Sequence, residues 1–252
     1  MNASSHTPEQ LALAQMLRRA RRAVFFGGAG VSTESGIPDF RSTDGLYNQQ
    51  WRYPPETILS HEFFLRRTDE FYEFYRKKML FPDARPNPAH LALAELEKRG
   101  ILSAVITQNI DGLHQAAGSK KAVELHGSVL RNSCTRCGRK FGLETILHSS
   151  GVPRCACGGV IKPDVVLYGE QLPTGAIEEA LDAIARADLL IIGGTSLAVY
   201  PAAGFVEAYS GPLAIINRSP TSMDYRADLC ISQPIGQTLA AAMQLLDAPD
   251  QA

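Results

Sequence analysis

Short apolar runs alternate with helical patterns along most of this chain, and that alternation restricts its fold more than any other feature. Residues 23–26, 104–107, 165–168, 189–192 and 213–216 are runs dominated by Val, Ile, Leu, Phe and Ala, with no polar face of their own. Strands read this way when both faces are buried, as in a parallel sheet covered by helices on each side. Amphipathic patterns fall between them at 8–19, 88–98, 176–187 and 235–246. The first begins after Thr7, and the second after Asn87 with Gly100 as its stop, so both carry helix-capping signals. The pattern predicts a doubly wound, parallel, Rossmann-like α/β sheet. Two stretches interrupt it. Residues 46–85 are aromatic-rich and helical in pattern, and Phe63, Phe64, Phe71, Tyr72, Phe74 and Tyr75 read as packing residues. Residues 131–159 are poor in apolar side chains and hold four cysteines. The expected organisation is a Rossmann-like domain from 1–45, 86–130 and 160–252, with 46–85 and 131–159 forming a smaller domain.

Cys134 and Cys137 form a C-x2-C pair, and Cys155 and Cys157 a C-x-C pair, with residues 138–154 between them. A zinc ribbon has two C-x2-C pairs and a gap of about 15–20 residues, so the second pair is one residue short. Four thiolates close a tetrahedral site with no open position, which predicts one structural zinc ion. A segment this poor in apolar residues needs such a cross-link. The bland alternative is four unrelated thiols. Cys230 lies apart, in a strand-like run, and reads as a small buried hydrophobe.

The formal net charge of the 252 residues is −1, which argues against a general nucleic-acid or membrane-surface binder. The first ten residues are polar, unlike a secretory signal, and no apolar run approaches the roughly 18 residues of a membrane span. These features predict a cytoplasmic protein, and a monomer is expected.

After the first apolar run comes Gly28, Ala29, Gly30, with Thr33 where a dinucleotide-binding turn would carry its third glycine. Small residues here let backbone N–H groups approach a phosphate. The bland alternative is a tight strand-to-helix connection. The turn continues into Asp39, Phe40 and Arg41, an acid, a ring and a cation that a plain phosphate cradle does not need. Further polar groups follow other strand runs: Gln108, Asn109 and Asp111; Gly194, Thr195 and Ser196; and Asn217. Ligands of open α/β sheets bind beyond the carboxyl ends of strands, so these clusters are expected to meet in one crevice. His126 is a candidate base because its pKa lies near neutrality, although an isolated loop histidine is commonplace. His114 competes with it but is expected on a helix that starts near Asp111.

Together these motifs, with the stretches 163–170 and 194–201, resemble the sirtuins in the same order over nearly the whole chain. The resemblance implies a compact NAD-dependent protein lysine deacylase. In that family the acyl-lysine carbonyl oxygen attacks the nicotinamide ribose at C1′, nicotinamide leaves, an alkylamidate forms, and a histidine base activates ribose hydroxyls so that the acyl group passes to ADP-ribose. By motif match His126 is that base. Asn109 and Asp111 hold the ribose and carboxamide, and Ile110 lines that pocket. Phe40 shields the C1′ face, with Asp39 beside it. Ala29, Thr33 and Arg41, with Gly28 and Gly30, serve the phosphates and the catalytic turn. Gln108 contacts ribose, Gly194, Thr195 and Ser196 face phosphate or adenosine, Asn217 the adenosine ribose, and Ile235 the adenine. The acyl-lysine peptide lies between Val166, Tyr168, Gly169 and Glu170 on one side and Leu197 and Val199 on the other.

Members that prefer acidic acyl groups carry a Tyr and an Arg three residues apart in the helical segment. Here Tyr72 is followed at that spacing by Tyr75, and Arg76 is one position off. Uncharged acyl groups are therefore expected. The rival readings are a mono-ADP-ribosyltransferase that uses the same cleavage, a zinc-bearing dehydrogenase, and a zinc-ribbon nucleic-acid binder.

Overall fold

A computed structural model describes residues 6–40, 42 and 44–248 of the chain. Arg41 lies outside the described residues. The strands in chain order are β1 (Ala23–Gly27), β2 (Leu102–Thr107), β3 (Ala122–Glu124), β4 (Gly127–Cys134), β5 (Lys140–Gly142), β6 (Ile161–Val165), β7 (Leu189–Gly193), β8 (Leu213–Ile216) and β9 (Leu229–Ile231). The helices are α1 (Pro8–Arg19), α2 (Pro55–Ile58), α3 (His61–Arg66), α4 (Thr68–Lys78), α5 (Pro88–Lys98), α6 (Leu113–Ala116), α7 (Leu143–Leu147), α8 (Thr174–Ala185), α9 (Gly204–Glu207) and α10 (Ile235–Asp247).

Six strands form a parallel sheet in the order β3-β2-β1-β7-β8-β9. The order reverses between β1 and β7, and that switch point opens a crevice at the strands' carboxyl ends. Side chains alternate between the two faces. Phe25, Val105, Ile191 and Ile216 pack with Leu13 and Leu17 of α1, Leu93 and Leu96 of α5, and Leu239 of α10. On the other face, Phe26, Ile106, Ile192 and Ile215 pack with Ile184 of α8 and Val206 of α9. Both helix starts read from the sequence are present. Thr7 Oγ1 accepts from Gln10 N–H, and Asn87 Oδ1 accepts from Ala89 N–H.

The run 165–168 departs from its expected place. Val165 ends β6, which pairs antiparallel with β4 in a separate three-stranded sheet, order β5-β4-β6. Residues beyond it form no strand of the main sheet; Tyr168 instead pairs with Ser60. Around this small sheet, α2, α3 and α4 bury Phe63, Phe64, Phe71, Tyr72, Phe74 and Tyr75. Cys230 is also corrected. It is exposed, because β9 is an edge strand with no neighbour to cover it. Among the described residues no helix is long and apolar enough to cross a membrane.

Candidate active site

Two loops meet at the switch point. Gly28 N–H donates to Gly193 O (3.2 Å) and Gly30 N–H to Gly194 O (2.8 Å), so the turn after β1 lies against the turn after β7. A Cβ on Gly30 would stand 2.8 Å from Gly194 Cα, and one on Gly28 2.9 Å from Thr195 Cβ. The glycines are thus required by the neighbouring backbone. Their N–H groups are taken, whereas Ala29 N–H, with no backbone acceptor among the described residues, is left to meet an anion. Glu34 Oε1 accepts from Gly236 N–H at the start of α10 (2.8 Å), which anchors the far end of the turn.

A cleft of about 1120 Å³ opens over these loops. Typical small-molecule pockets are about 300–1,000 Å³, so it has room for more than a drug-sized ligand. All but one of the described cofactor- and substrate-binding residues expected from the sequence line it: Gly28, Ala29, Gly30, Thr33, Asp39, Phe40, Gln108, Asn109, Ile110, Asp111, His126, Val166, Tyr168, Gly169, Glu170, Gly194, Thr195, Ser196, Val199, Asn217 and Ile235. The exception is Leu197, which is buried beside the loop with φ 52°, a left-handed conformation uncommon for a residue with a Cβ.

The floor of the cleft is a fixed hydrogen-bond network with Ser32 at its hub. Asn109 Nδ2 donates to Ser32 Oγ (3.0 Å), and Ser32 Oγ donates to Asp111 Oδ2 (2.6 Å). Asn87 N–H donates to His90 Nδ1 (3.2 Å), so the His90 proton resides on Nε2, which faces Ser32 Oγ at 3.5 Å. Asp111 Oδ1 accepts from Leu113 N–H (2.8 Å) at the first residue of α6. Sequence reasoning missed Ser32 and His90 and read Asn87 only as a helix cap, although Ser32 sits inside the glycine turn and His90 stands three residues after that cap.

His126 follows β3. Its Nδ1 lies 2.9 Å from Gln108 O. A carbonyl only accepts, so Nδ1 carries the proton and Nε2 keeps the lone pair. Burial pushes the ring's pKa below the ordinary value, the Gln108 carbonyl opposing that shift. At neutral pH this is a neutral imidazole ready to accept a proton. Gln108 Nε2 also donates to Thr195 Oγ1 (3.1 Å), tying the ends of β2 and β7 together.

Residues 28–201 match the sequence model of the Sir2 family. The chain belongs to the Sir2 (sirtuin) family. Among similar sirtuins, an NAD-dependent protein deacetylase of Clostridium perfringens is 54% identical over 232 residues, covering 90% of this chain and 95% of that protein. One of Cutibacterium acnes is 52% identical over 241 residues, covering 94% and 98%. A solved Sir2 structure with a deacetylated p53 peptide and 3'-O-acetyl ADP-ribose has a TM-score of 0.87 at 41% identity, over 94% of this chain and 98% of that one. A Sir2–p53 peptide–NAD+ structure has a TM-score of 0.83 at 41% identity, over 93% and 97%.

The sirtuin's four cysteine sulfurs lie within 4.8 Å of one another. Cys134 Sγ is 3.4 Å from Cys157 Sγ, and Cys137 Sγ 3.7 Å from Cys155 Sγ. Sulfurs 2.3 Å from one ion at tetrahedral corners stand about 3.8 Å apart, so the set fits zinc despite the short second pair. Arg136 and Cys137 N–H groups point at Cys134 Sγ (3.4 and 3.5 Å).

On the peptide side, Glu170 is spoken for within the chain. Its carboxylate accepts from Leu167 N–H (2.9 Å) and Lys162 Nζ (3.1 Å) and lies 2.7 Å from His61 Nδ1. Tyr168 N–H donates to Leu59 O, and Val166 N–H to His126 O. One edge of this segment is therefore already paired.

Proposed function

We propose that this sirtuin is an NAD-dependent protein lysine deacetylase whose single site is the cleft between β1 and β7. The observation that carries the proposal is His126, held as the Nε2-basic tautomer beside the Ser32–Asn109–Asp111 network. The NAD and peptide named for its solved relatives fit the same reading. NAD, when bound, supplies the ribose that accepts the acyl group and the nicotinamide that leaves.

His126 Nε2 takes the proton from a ribose hydroxyl. Asp111 and Asn109, locked by Ser32, orient the ribose and carboxamide, with Ile110 beside them, and the buried floor excludes water. Phe40, packed edge-on against Tyr47 at 5.7 Å, covers the reacting face, with Asp39 next to it in the chain. Ala29 N–H, Thr33, Gly194, Thr195 and Ser196 receive the phosphates, and Asn217 and Ile235 the adenosine. The peptide lies between the segment Val166, Tyr168, Gly169, Glu170 and the segment Leu197, Val199, and its added backbone bonds use the open edge. Zinc on Cys134, Cys137, Cys155 and Cys157 holds the small unit, formed by 46–85 and 131–159, and takes no part in chemistry. The working protein is a cytoplasmic monomer acting on acyl-lysine proteins.

The test is incubation of an acetyl-lysine peptide with NAD, following deacetylated peptide and nicotinamide by mass spectrometry. Equal amounts of both products are expected. Label from NAD becoming covalently attached to protein, with the acetyl group intact, would replace this reading with mono-ADP-ribosyl transfer.

A further inference from the structure

Two hydroxyls join the loop after β1 to the segment after β6. Tyr47 Oη lies 2.6 Å from Tyr168 Oη, a hydrogen bond between residues 121 apart in the chain. Tyr47 ends the run that carries Asp39 and Phe40, and Tyr168 stands in the segment assigned to the peptide. Both residues line the cleft.

Each end of this bridge is fixed. Tyr168 N–H donates to Leu59 O (2.9 Å), and Tyr168 O accepts from His61 N–H (2.9 Å), so its backbone is pinned to the turn between α2 and α3. Glu170 steadies the same segment by accepting from Leu167 N–H (2.9 Å). At the other end, Leu46 N–H donates to Asp39 O (2.7 Å) and Tyr47 N–H to Phe40 O (2.9 Å), which folds 39–47 back on itself. The Phe40 ring then meets the Tyr47 ring edge-on at 5.7 Å, a favoured arrangement for two aromatic rings. Direct contacts therefore run from the α2–α3 turn through Tyr168 and Tyr47 to Phe40. Tyr168 is 40% exposed and Tyr47 half-buried, so water would serve either hydroxyl if the other were removed. The bond is thus dispensable for folding, and its effect is to fix one loop against another.

We infer that Tyr168 and Tyr47 are positioning residues that hold the Phe40 ring over the reacting face, Tyr47 by ring contact and Tyr168 through Tyr47. This rests on the deacylase reading above, in which Phe40 keeps water from the ribose C1′. Without the hydroxyl pair, 39–47 keeps its internal backbone bonds but loses this tie to the peptide segment, and opens more often. Water then competes with the acyl oxygen. Its oxygen forms the bond to C1′ as the bond from C1′ to nicotinamide breaks, which gives ADP-ribose, nicotinamide and a proton and leaves acetyl-lysine intact.

The experiment takes the wild type, Tyr47→Phe, Tyr168→Phe and the double variant through two measurements. The first is amide hydrogen exchange over 39–47 in the protein without ligands. Each single variant is expected to exchange there about three- to tenfold faster, the worth of one net hydrogen bond, and the double variant no faster than either. The second is nicotinamide released per acetyl-lysine peptide deacetylated. This ratio should be about one in the wild type and rise above one, to a similar degree, in all three variants. A misfolded fraction lowers both products equally and does not move the ratio. Wild-type exchange in the single variants overturns the inference, as do effects that multiply in the double variant, because the hydroxyls then act separately. Faster exchange with the ratio still at one means that the pair does not govern the shielding by Phe40, and defeats it too. No acetyl removal by the wild type overturns the deacetylase reading instead.

Discussion

At the residue scale, the protonation of His126 is decided by one carbonyl. Gln108 O fixes the proton on Nδ1 and burial keeps the ring neutral. His126→Ala should lower kcat by about 10²–10⁴-fold with little change in Tm, since general bases are worth that much. The acid limb of kcat/KM should fall below the ordinary histidine value of about 6.5, because the neutral base persists to lower pH. A limb at or above that value would contradict the tautomer and its burial. The acyl preference belongs to this scale too. Arg76 is turned onto Ile146, Ser149 and Gly151, and Tyr72 onto Ile161, so the two cannot clamp a carboxylate. Acetyl should be removed at least tenfold faster than succinyl from matched peptides, a difference of about 1.4 kcal/mol or more. Equal rates would refute this.

At the element scale, the small sheet and the catalytic histidine share one connection. β4 begins at Gly127, directly after His126, and pairs there with Val165 of β6, while Val166 N–H donates to His126 O. Gly127 has φ 74°, and a Cβ on it would stand 1.9 Å from Asp164 O, so glycine alone fits. Both strands run into the cysteine cluster at their other ends. Loss of zinc should therefore reach His126 through β4 and β6. Cys137→Ser should abolish zinc binding measured by elemental analysis, and destabilise the protein by at least about 3 kcal/mol, a fraction of the roughly 10–16 kcal/mol that zinc supplies to zinc-finger peptides. Deacetylation should fall with it. Full stability of the metal-free protein would remove the structural role.

The elements also mark the limit of sequence reading. Thr7 and Asn87 announced their helices because a cap is a local hydrogen bond. The run 165–168 looked like a sheet strand because an apolar run records burial and says nothing of which sheet buries it. It serves instead as the end of β6 and as cleft wall. Cys230 looked buried for the same reason, and its place on an edge strand left it exposed.

At the scale of the whole molecule, two neutral histidines are built into the main core beneath the cleft. His90 and His114 pack at 4.8 Å between ring centroids, and His114 also faces Phe25. Burial pushes their pKa values down to about 4 and about 3, and neither nitrogen of His114 has a partner. Unfolding lets both rings take up protons near pH 6.5. Below that pH the unfolded chain binds more protons, so stability present at neutral pH is lost as the pH falls from about 6.5 towards those lower values. Each ring can contribute up to about 1.4 kcal/mol per pH unit in that window. Urea unfolding at pH 7 and pH 5 should show a loss of a few kcal/mol, and His114→Phe should make the loss shallower. A wild-type stability that is flat across this range would show that the rings are not held neutral.

The sequence by itself determined the doubly wound class, the cysteine set, the capped helices and the glycine, histidine and strand-end polar residues that reach the cleft. These are written in local periodicity, spacing and motif, which a linear reading can see. Only the tertiary structure decided what those residues do for one another. It showed that Gly28 and Gly30 are demanded by a second loop, that Ser32 and His90 lock Asn109 and Asp111, and that Glu170 is held within the chain. Such facts depend on which atoms from distant parts of the chain come within about 3 Å and which are shut from water, and folding alone sets both.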